Sequence, residues 1–407
     1  MEAVQTDKLK AGQILAEEVR DINGRLLLAS GNEIQSNHIR IFKIWGIPEV
    51  NVAGTSHATD EFDSHLDPEL VEQAQESMRF IFSHVDMGHP AIKEIFKIAV
   101  QYRCRNNLVG VESDLPITDR QIPLESRKID FIDALNKKKI ILPEIPAVVF
   151  ELNEVIANPL SSAANIAEVV NRSPSLTALL LKIVNSSFYN FPSKIDKVSH
   201  AVSLIGIREI SGLAMGISIL SVFKNIPKAI IDMHAFLKHS LACGILARVL
   251  AAHLNSPQTE QLFVSGLLHD LGRLILYIHF PKESHNIITQ SRNRSKLLYR
   301  EEQDYLGCSH AQVGKQLMKQ WKLPVMLENN VLYHHKPSGA QQPVPATIVH
   351  LADVIVNSLG IGSSGERFVP PLDYAALENL ELSPSSFEKL IGQATHQFKA
   401  LETVLNI

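Results

Sequence analysis

The sequence predicts a mainly α fold, in which an all-α C-terminal domain follows a small β-containing N-terminal module and a helical connector. Apolar residues recur at three- and four-residue spacing through most of the chain after residue 130, as on the buried face of a helix. Asn23-Gly24, the favoured pair for a tight hairpin turn, lies near the N-terminus. A chain of 407 residues that is 45% hydrophobic is long enough for two or three domains.

The N-terminal module is predicted to occupy residues 1–55. Gln13 to Ile22 and Arg25 to Ala29 are predicted strands on either side of the Asn23-Gly24 turn. Ser36 is the predicted cap of a short helix that stops before Gly46. Glu49 to Ala53 is predicted as a further strand.

The connector is predicted over residues 66–105, as two helices. Asp67-Pro68 supplies a capping oxygen and a proline at the first helical position, and a second helix is predicted from Pro90 to about Arg103. Residues 106–129 are predicted as a linker, and residues 130–407 as the main helical domain.

Charge and cysteine content limit the class of protein. A net charge of −4 gives no general attraction to nucleic acid or to an anionic membrane, so neither is expected as a partner. The three cysteines are too few and too scattered for a disulfide framework. The N-terminus lacks a signal-peptide pattern, and the apolar run Ile210 to Phe223 is too short to span a membrane. We therefore predict a cytoplasmic protein.

A histidine-aspartate doublet, His269-Asp270, lies within an apolar stretch. A buried charge is costly unless it is paired or bound to a metal. Cys243, one helical turn after His239, is predicted as a buried small apolar residue.

The main domain resembles the HDOD domain of bacterial signalling proteins, over about 260 residues. Ser173 stands where the family usually has aspartate, and it is predicted to cap a helix that begins at Pro174. Residues 8–53 resemble the small module that precedes many HD-GYP proteins. The resemblance of the main domain is carried by these motifs, in order: Leu142-Pro143-Glu144-Ile145-Pro146, Asn171 to Leu176, Asn185 to Tyr189, Ile195 to Gly206, His239-Ser240, His269-Asp270, His310 to Pro324, His334-His335 and Leu351-Ala352-Asp353.

The resemblance to the HD superfamily implies a metal site within a subdomain of about 232–360. It implies one or two divalent ions, of Fe, Mn, Zn or Ni, with Asp270 as the bridging carboxylate. In enzymes of this kind such a site activates water for attack on phosphorus. Asp270 and Arg273 would then be the catalytic residues. The implied metal ligands are His239, His269, Asp270 and Asp353 for the first ion, with His310, His334 and His335 as the additional ligands.

The same residues leave two functions open. HDOD proteins often serve as regulatory modules, in which case the domain binds a partner protein or a nucleotide-type ligand and the histidines are core or interface residues. The alternative is a metal-dependent phosphohydrolase acting on a nucleotide or cyclic nucleotide. Against catalysis, Arg273 stands where such enzymes usually have lysine, and it cannot act as a general acid. The chain also lacks the Gly-Tyr-Pro segment after His334-His335. We therefore expect a bacterial-type signalling protein.

Two further segments have both a structural and a functional interpretation. Glu301 and Glu302 can reach the site, but a solvated helix face is the better prediction. Asn185 to Phe191 combines amide, hydroxyl and aromatic side chains. This segment is either a recognition surface or a turn that Asn185 closes with backbone hydrogen bonds.

Overall fold

The computed structural model describes most of the chain, and its helical C-terminal region confirms the predicted fold class. The predicted Asn23-Gly24 turn and nearly all of the predicted linker 106–129 lie outside the described residues. The described residues are 2–20, 26–53, 67–109, 140, 142–158, 160–186, 189, 191, 193–223 and 226–405.

Two small sheets and one helix form the N-terminal module. Strand β5 (Glu49–Ala53) lies between β1 (Glu2–Gln5) and β2 (Ile14–Leu15), antiparallel to both. A separate antiparallel pair joins β3 (Val19–Arg20) to β4 (Leu26–Leu28). The predicted strand over Glu49 to Ala53 is confirmed, and β1 was not predicted.

The prediction of one continuous strand from Gln13 to Ile22 is wrong. Leu15 and Val19 both face the small core of the module, but they pair with different strands, Leu15 with Val52 and Val19 with Leu28. Apolar alternation reports which face of a strand is buried and does not report the pairing partner. The chain therefore leaves one sheet and enters the other within the predicted strand.

Helix α1 (Ser36–Ile44) begins where predicted, but Ser36 is not its cap. Gln35 occupies the cap position and forms a reciprocal capping box with His38. Gly46, at the end of this helix, has a φ of 63°, which glycine adopts without a steric cost.

The two predicted connector helices pack into the core of the main domain. Helix α2 (Pro68–Ile81) is capped by Asp67, which accepts a hydrogen bond from the backbone N–H of Glu69, and α3 (Pro90–Arg105) follows. Met78 of α2 and Ile95 of α3 are fully buried in the same cluster as the C-terminal helices. These two helices therefore share the core of the main domain.

The main domain consists almost wholly of helices, in agreement with the apolar spacing of the sequence. Ser173 caps α6 as predicted, by accepting from the backbone N–H of Leu176 at 3.4 Å. Gly206, with a φ of 117°, separates α7 from α8. The helices of this domain are α4 (Ala147–Ala157), α5 (Ala163–Asn171), α6 (Pro174–Val184), α7 (Val198–Ile205), α8 (Ile207–Leu220), α9 (Met233–His253), α10 (Thr259–Leu268), α11 (Leu271–His279), α12 (Pro281–Asn293), α13 (Leu298–Leu306), α14 (His310–Gln320), α15 (Val325–Tyr333), α16 (Pro343–Leu359), α17 (Tyr374–Leu377) and α18 (Phe387–Leu405).

Helix α9 is the central element of this domain. It packs against α10, α16 and α18. Among the described helices it alone is long and apolar enough to cross a membrane, but 83% of its most apolar window is buried inside the protein. Burial of that kind is typical of a core helix.

Two glycines allow helices to cross closely at the histidine-aspartate doublet. A Cβ at Gly266 would lie 2.7 Å from the carbonyl oxygen of Cys243, where α10 crosses α9. A Cβ at Gly272 would lie 1.9 Å from the carbonyl oxygen of His310, where α11 meets the start of α14. Only glycine fits these contacts, which bring four helices together around the doublet.

Candidate metal centre

The structure brings all seven predicted ligands into one cluster. Helices α9, α11, α14, α15 and α16 converge on it, and His310 is placed by a capping box between Ser309 and Gln312 at the start of its helix. The cluster is formed by His239 on α9, His269 and Asp270 at the junction of α10 and α11, His310 at the first position of α14, His334 and His335 directly after α15, and Asp353 on α16.

A first group of side chains surrounds the Nε2 atoms of His239 and His269, which lie 3.3 Å apart. Asp353 Oδ1 lies 3.3 Å from Nε2 of His239 and 3.4 Å from Nε2 of His269. Asp270 Oδ2 lies 3.4 Å from Nε2 of His269 and 3.8 Å from Nε2 of His239. Two imidazoles and two carboxylates thus face a common centre.

A second group lies on the other side of Asp270. Its Oδ1 is 2.8 Å from Nε2 of His310 and 3.7 Å from Nε2 of His334. Nε2 of His310 lies 3.2 Å from Nε2 of His334 and 3.1 Å from Nε2 of His335. Asp270 therefore turns one carboxylate oxygen toward each group, as a bridging carboxylate between two ions must.

Backbone carbonyls fix the tautomers of two of these histidines. Nδ1 of His269 donates to the carbonyl oxygen of Gly266 at 2.7 Å, and Nδ1 of His334 donates to that of Val331 at 2.6 Å. In the neutral rings, Nε2 then carries the lone pair and points into the cluster. The spacing of three residues between each carbonyl and its histidine follows from the last turn of the preceding helix.

The donor set fits divalent metal ions. Ligand atoms about 2.1 Å from an ion lie about 3.0 Å apart in octahedral and about 3.4 Å apart in tetrahedral geometry, and most of the distances above fall in or near this range. Asp270 Oδ1 is buried, and its nearest polar neighbour is Nε2 of His310 at 2.8 Å. A buried carboxylate needs compensating positive charge, which either protonated imidazoles or metal ions could supply here.

The protonation states of Asp270 and His334 in the metal-free protein also suit metal ligation. Burial opposes ionisation of Asp270, but Arg273 and the neighbouring histidines outweigh burial and hold the pKa of its carboxyl well below the usual value. Burial, together with the charges of His269 and His310, lowers the pKa of His334 to about 3. The centre thus combines an ionised carboxylate with a neutral imidazole at neutral pH, which is the protonation state that metal ligation requires.

His269 carries a proton in the absence of metal. Burial lowers its pKa, but the carboxylates of Asp270 and Asp353 outweigh burial and raise the pKa to about 10. The proton occupies the place where a metal ion would neutralise the same two carboxylates. Binding of a metal therefore has to release it.

The prediction that Glu302 lies on a solvated helix face is wrong. Its side chain is buried on α13, and Oε2 accepts hydrogen bonds from the backbone N–H of His310 at 2.8 Å and from Nδ1 of the same residue at 2.6 Å. The carboxylate fixes the His310 ring so that Nε2 faces Asp270. Carboxylates commonly orient metal-binding histidines in this way. Glu301 is also buried, with Lys296 at 3.2 Å. No regular spacing links Glu302 to His310, so the sequence offered little signal.

Arg273 is 1% exposed and is held by several polar groups. Its Nη1 donates to Ser364 Oγ at 2.7 Å, and its Nε lies 3.6 Å from Asp270 Oδ1 and 3.5 Å from Glu302 Oε1. The guanidinium thus neutralises two buried carboxylates. Its predicted catalytic role stays a prediction.

Three further residues support the cluster. Nδ1 of His350 donates to the carbonyl oxygen of His334 at 2.7 Å, and Nε2 of His350 accepts from the backbone N–H of Asp373. The ring of Tyr299 stacks on His335, with centroids 4.1 Å apart, and covers the ligand nearest to solvent. Cys243 is fully buried, as predicted, and burial raises the pKa of its thiol well above the usual value. Sequence reasoning assigned none of the three to the site.

The Asn185 segment has the predicted structural role. Asn185 Nδ2 donates to the carbonyl oxygens of Leu181 and Ile195, and its Oδ1 accepts from the backbone N–H of Ile195. Tyr189 Oη donates to Glu209 at 3.2 Å. Ser187, Phe188 and Asn190 lie outside the described residues, so the predicted recognition surface stays untested.

The sequence profile of the HDOD domain family matches residues 142–337. These residues are thus similar to an HDOD domain. The match includes six of the seven clustered residues and ends before Asp353, which the fold nevertheless brings to the centre of the first group.

Solved structures share the fold of the HDOD domain. An HDOD domain protein of unknown function from Geobacter sulfurreducens aligns with a TM-score of 0.58 at 21% identity, over 66% of this chain and 96% of that one. A proposed phosphohydrolase from Shewanella amazonensis aligns with a TM-score of 0.54 at 19% identity, over 68% and 99%. A proposed signal transduction protein from Marinobacter aquaeolei aligns with a TM-score of 0.55 at 20% identity, over 76% and 73%. At these identities the likeness shows the fold alone.

Two curated relatives are uncharacterised proteins. One from Treponema pallidum is 21% identical over 54% of this chain, and YuxH of Bacillus subtilis is 28% identical over 31%. This chain spans 42% and 30% of their lengths, respectively.

Proposed function

We propose that this HDOD domain holds a closed divalent metal centre and acts as a regulatory module in signal transduction. The observation that carries the proposal is the position of Asp270, whose two carboxylate oxygens face two separate groups of imidazole nitrogens. His239, His269, His310 and His334 are 0% exposed, and Asp353 is 2% exposed. This burial separates the centre from bulk solvent, which favours a structural role for the ions.

In this proposal, His239, His269, Asp353 and Asp270 would hold one ion. His310, His334, His335 and Asp270 would hold a second. The mixed nitrogen and oxygen donors suit Fe, Mn, Zn or Ni. When bound, the ions supply positive charge that neutralises the buried carboxylates and ties five helices together.

A regulatory role follows from what the metal centre connects. The ligands come from helices that also form the core, so a change in occupancy alters helix packing rather than a surface loop. Binding of a partner protein or a nucleotide-type ligand would depend on this change in helix packing. The N-terminal module would be the sensor or docking element. Arg273 is held by Ser364 through Nη1 and lies near two carboxylates through Nε, which favours a role in charge compensation within the core.

Elemental mass spectrometry of the purified full chain tests the metal centre. We expect a near-stoichiometric content of one of the four metals, which Asp270→Ala loses and Asp304→Ala keeps. Asp304 is a matched control because its side chain is 66% exposed and lies outside the cluster. Retention of the metal by Asp270→Ala, or a metal-free chain of full stability, would contradict the proposal.

The second candidate function is a metal-dependent phosphohydrolase, and the complete bridged ligand set favours it. Here Asp270 would organise the reacting centre and Arg273 would stabilise phosphate charge. We would assay the metal-loaded chain against phosphomonoesters, nucleotides and cyclic nucleotides. Turnover that His269→Ala abolishes and the exposed control His234→Ala keeps would establish this function. Metal-loaded protein without turnover would support the regulatory role.

A further inference from the structure

Cys243 lies directly beside the first group of ligands. It follows His239 by one turn of α9, and its Sγ lies 3.7 Å from Nε2 of that histidine. The side chain is 0% exposed. Sγ, the two Nε2 atoms of His239 and His269, and a carboxylate oxygen of Asp353 all lie within 4.8 Å of one another.

Four distances within this set are compatible with coordination of one shared ion. The nitrogen and oxygen atoms of His239, His269 and Asp353 are separated by 3.3, 3.3 and 3.4 Å. Tetrahedral ligands about 2.1 Å from an ion lie about 3.4 Å apart. A thiolate sulfur about 2.3 Å from the same ion would lie about 3.6 Å from each nitrogen, close to the observed 3.7 Å.

Asp270 also faces the first group, so Cys243 is a further donor and does not replace it. Its Oδ2 lies 3.4 Å from Nε2 of His269 and 3.8 Å from Nε2 of His239. Its Oδ1 lies 2.8 Å from Nε2 of His310 in the second group. The carboxylate thus serves both groups, and Sγ is the fifth donor atom of the first group.

We propose that Cys243 is a thiolate ligand of the ion in the first group, which makes the ligand set two imidazoles, two carboxylates and one thiolate. This inference rests on the proposed metal centre and specifies its chemistry. On binding, a metal–sulfur bond forms, the S–H bond breaks and the proton leaves to solvent. The thiolate adds a negative charge and a soft donor. It selects Zn or Fe(II) over Mn or Mg.

X-ray absorption spectroscopy of the metal-loaded full chain tests the inference without any substitution. We expect one sulfur scatterer at about 2.3 Å from the ion beside nitrogen and oxygen scatterers at about 2.0–2.1 Å. A metal-loaded chain whose first shell contains only nitrogen and oxygen would overturn the role of Cys243 and leave the metal centre in place. A chain that binds no metal at all would overturn both.

Cobalt substitution gives a second readout. The Co(II)-loaded chain should show thiolate-to-cobalt charge-transfer absorption in the near ultraviolet, which Cys243→Ala loses. Cys104→Ala is the matched control, because Cys104 is also buried but lies on α3, where its Sγ contacts the carbonyl oxygen of Leu70. Persistence of the band in Cys243→Ala, or its loss in Cys104→Ala, would refute the assignment.

Discussion

Asp270 connects the two histidine groups through the two oxygens of one carboxylate. Each oxygen faces imidazole nitrogens of a different group. The charge that holds it ionised in the metal-free protein comes from Arg273 and from protonated histidines. A metal ion and these protons therefore compete for the same residue, and metal binding is expected to weaken as the pH falls.

Glu302 acts on the centre through His310. Replacing its carboxylate with a neutral amide, in Glu302→Gln, should weaken metal binding. In Glu302→Gln the ring loses the carboxylate that accepts from Nδ1 at 2.6 Å, so Nε2 is less well oriented and less basic. We expect about a 10- to 100-fold loss of affinity for the ion of the second group, measured by competition with a chromophoric chelator.

Glu301→Gln is the matched control for this substitution. Glu301 is the preceding residue on the same helix and is also buried, but it faces Lys296 and Arg294. Its substitution should leave the affinity unchanged. An affinity for the second ion that is equal in Glu302→Gln and in the unsubstituted chain would remove Glu302 from the support of the centre.

Some individual residues could be predicted from the sequence and others could not. The His269-Asp270 doublet and the ordered histidines around it indicated a cluster, and the fold brings all of them together. Cys243 gave a signal, because residues four apart lie on one face of a helix, but burial of an apolar thiol explained it equally well. Glu302 was within reach of the site by sequence, but its contact with His310 could not be predicted, since it depends on how the turn between α13 and α14 folds back.

At the scale of helices, the close crossing at Gly272 sets the position of His310. Gly272→Ala would place a Cβ 1.9 Å from the carbonyl oxygen of His310, so α14 has to move away from α11. We expect a loss of unfolding free energy of about 1–3 kcal/mol and a lower content of the second metal ion. Urea denaturation and elemental analysis measure the two effects.

Gly392→Ala is the control for the glycine substitution. Gly392 lies within α18, and a Cβ there would meet nothing within 4 Å. Alanine should leave the metal content unchanged and raise stability by up to about 1 kcal/mol, through its higher helix propensity. A Gly272→Ala variant that behaves like this control would show that α11 and α14 tolerate a wider separation.

A buried carboxylate joins helices α8 and α9 and makes their packing sensitive to pH. Glu209 accepts hydrogen bonds from Arg248 and Tyr189. Burial raises its pKa to about 7, with Arg248 opposing the shift and Glu260 adding to it. The folded chain therefore keeps a proton that the unfolded chain loses near its ordinary pKa of 4.5.

Stability should consequently fall as the pH rises through this interval. Between about pH 4.5 and 7 the unfolded state binds fewer protons, so the unfolding free energy decreases, by up to about 3 kcal/mol. Glu209→Gln should remove this part of the pH dependence, and the exposed control Glu388→Gln should not. Urea unfolding at about pH 5 and about pH 8 measures it. If the unfolding free energy of Glu209→Gln changed with pH as much as that of the unsubstituted chain, the pH dependence would come from other groups.

At the scale of the whole molecule, the chain has two hydrophobic cores of very different size. The core of the N-terminal module is small and separate, and the connector helices belong to the main core. Small cores give low stability. The members of the smaller core are Leu9, Leu15, Val19, Ile34, Phe42, Val50 and Val52.

The two tryptophans report on these two cores separately, and we expect two unfolding transitions. Trp45 ends helix α1 of the module, whereas Trp321 is buried in the main domain and donates to the carbonyl oxygen of Pro143 at 2.8 Å. With Trp321→Phe, fluorescence should report an early urea transition. With Trp45→Phe it should report a later one, which metal chelation lowers. Coincident transitions would instead show one cooperative unit.

The fold class followed from the sequence because helical spacing is a local property of the main domain. Packing of the connector helices into the main core could not be predicted in the same way. Met78 and Ile95 look like the apolar face of any amphipathic helix, and the partner of that face depends on contacts distant in sequence, such as the hydrogen bond from Arg103 Nε to the carbonyl oxygen of Ser358.

The enclosure of the centre under Tyr299 has a consequence for timing. Six of the seven proposed ligands are buried, so an ion held by them would leave mainly when helices open locally, and such opening is rare in a well-packed core. Exchange in the folded chain would then be slow, whatever the equilibrium affinities. The metal found in the protein would record which ion was available while the chain was folding, rather than which ion the finished protein later encountered.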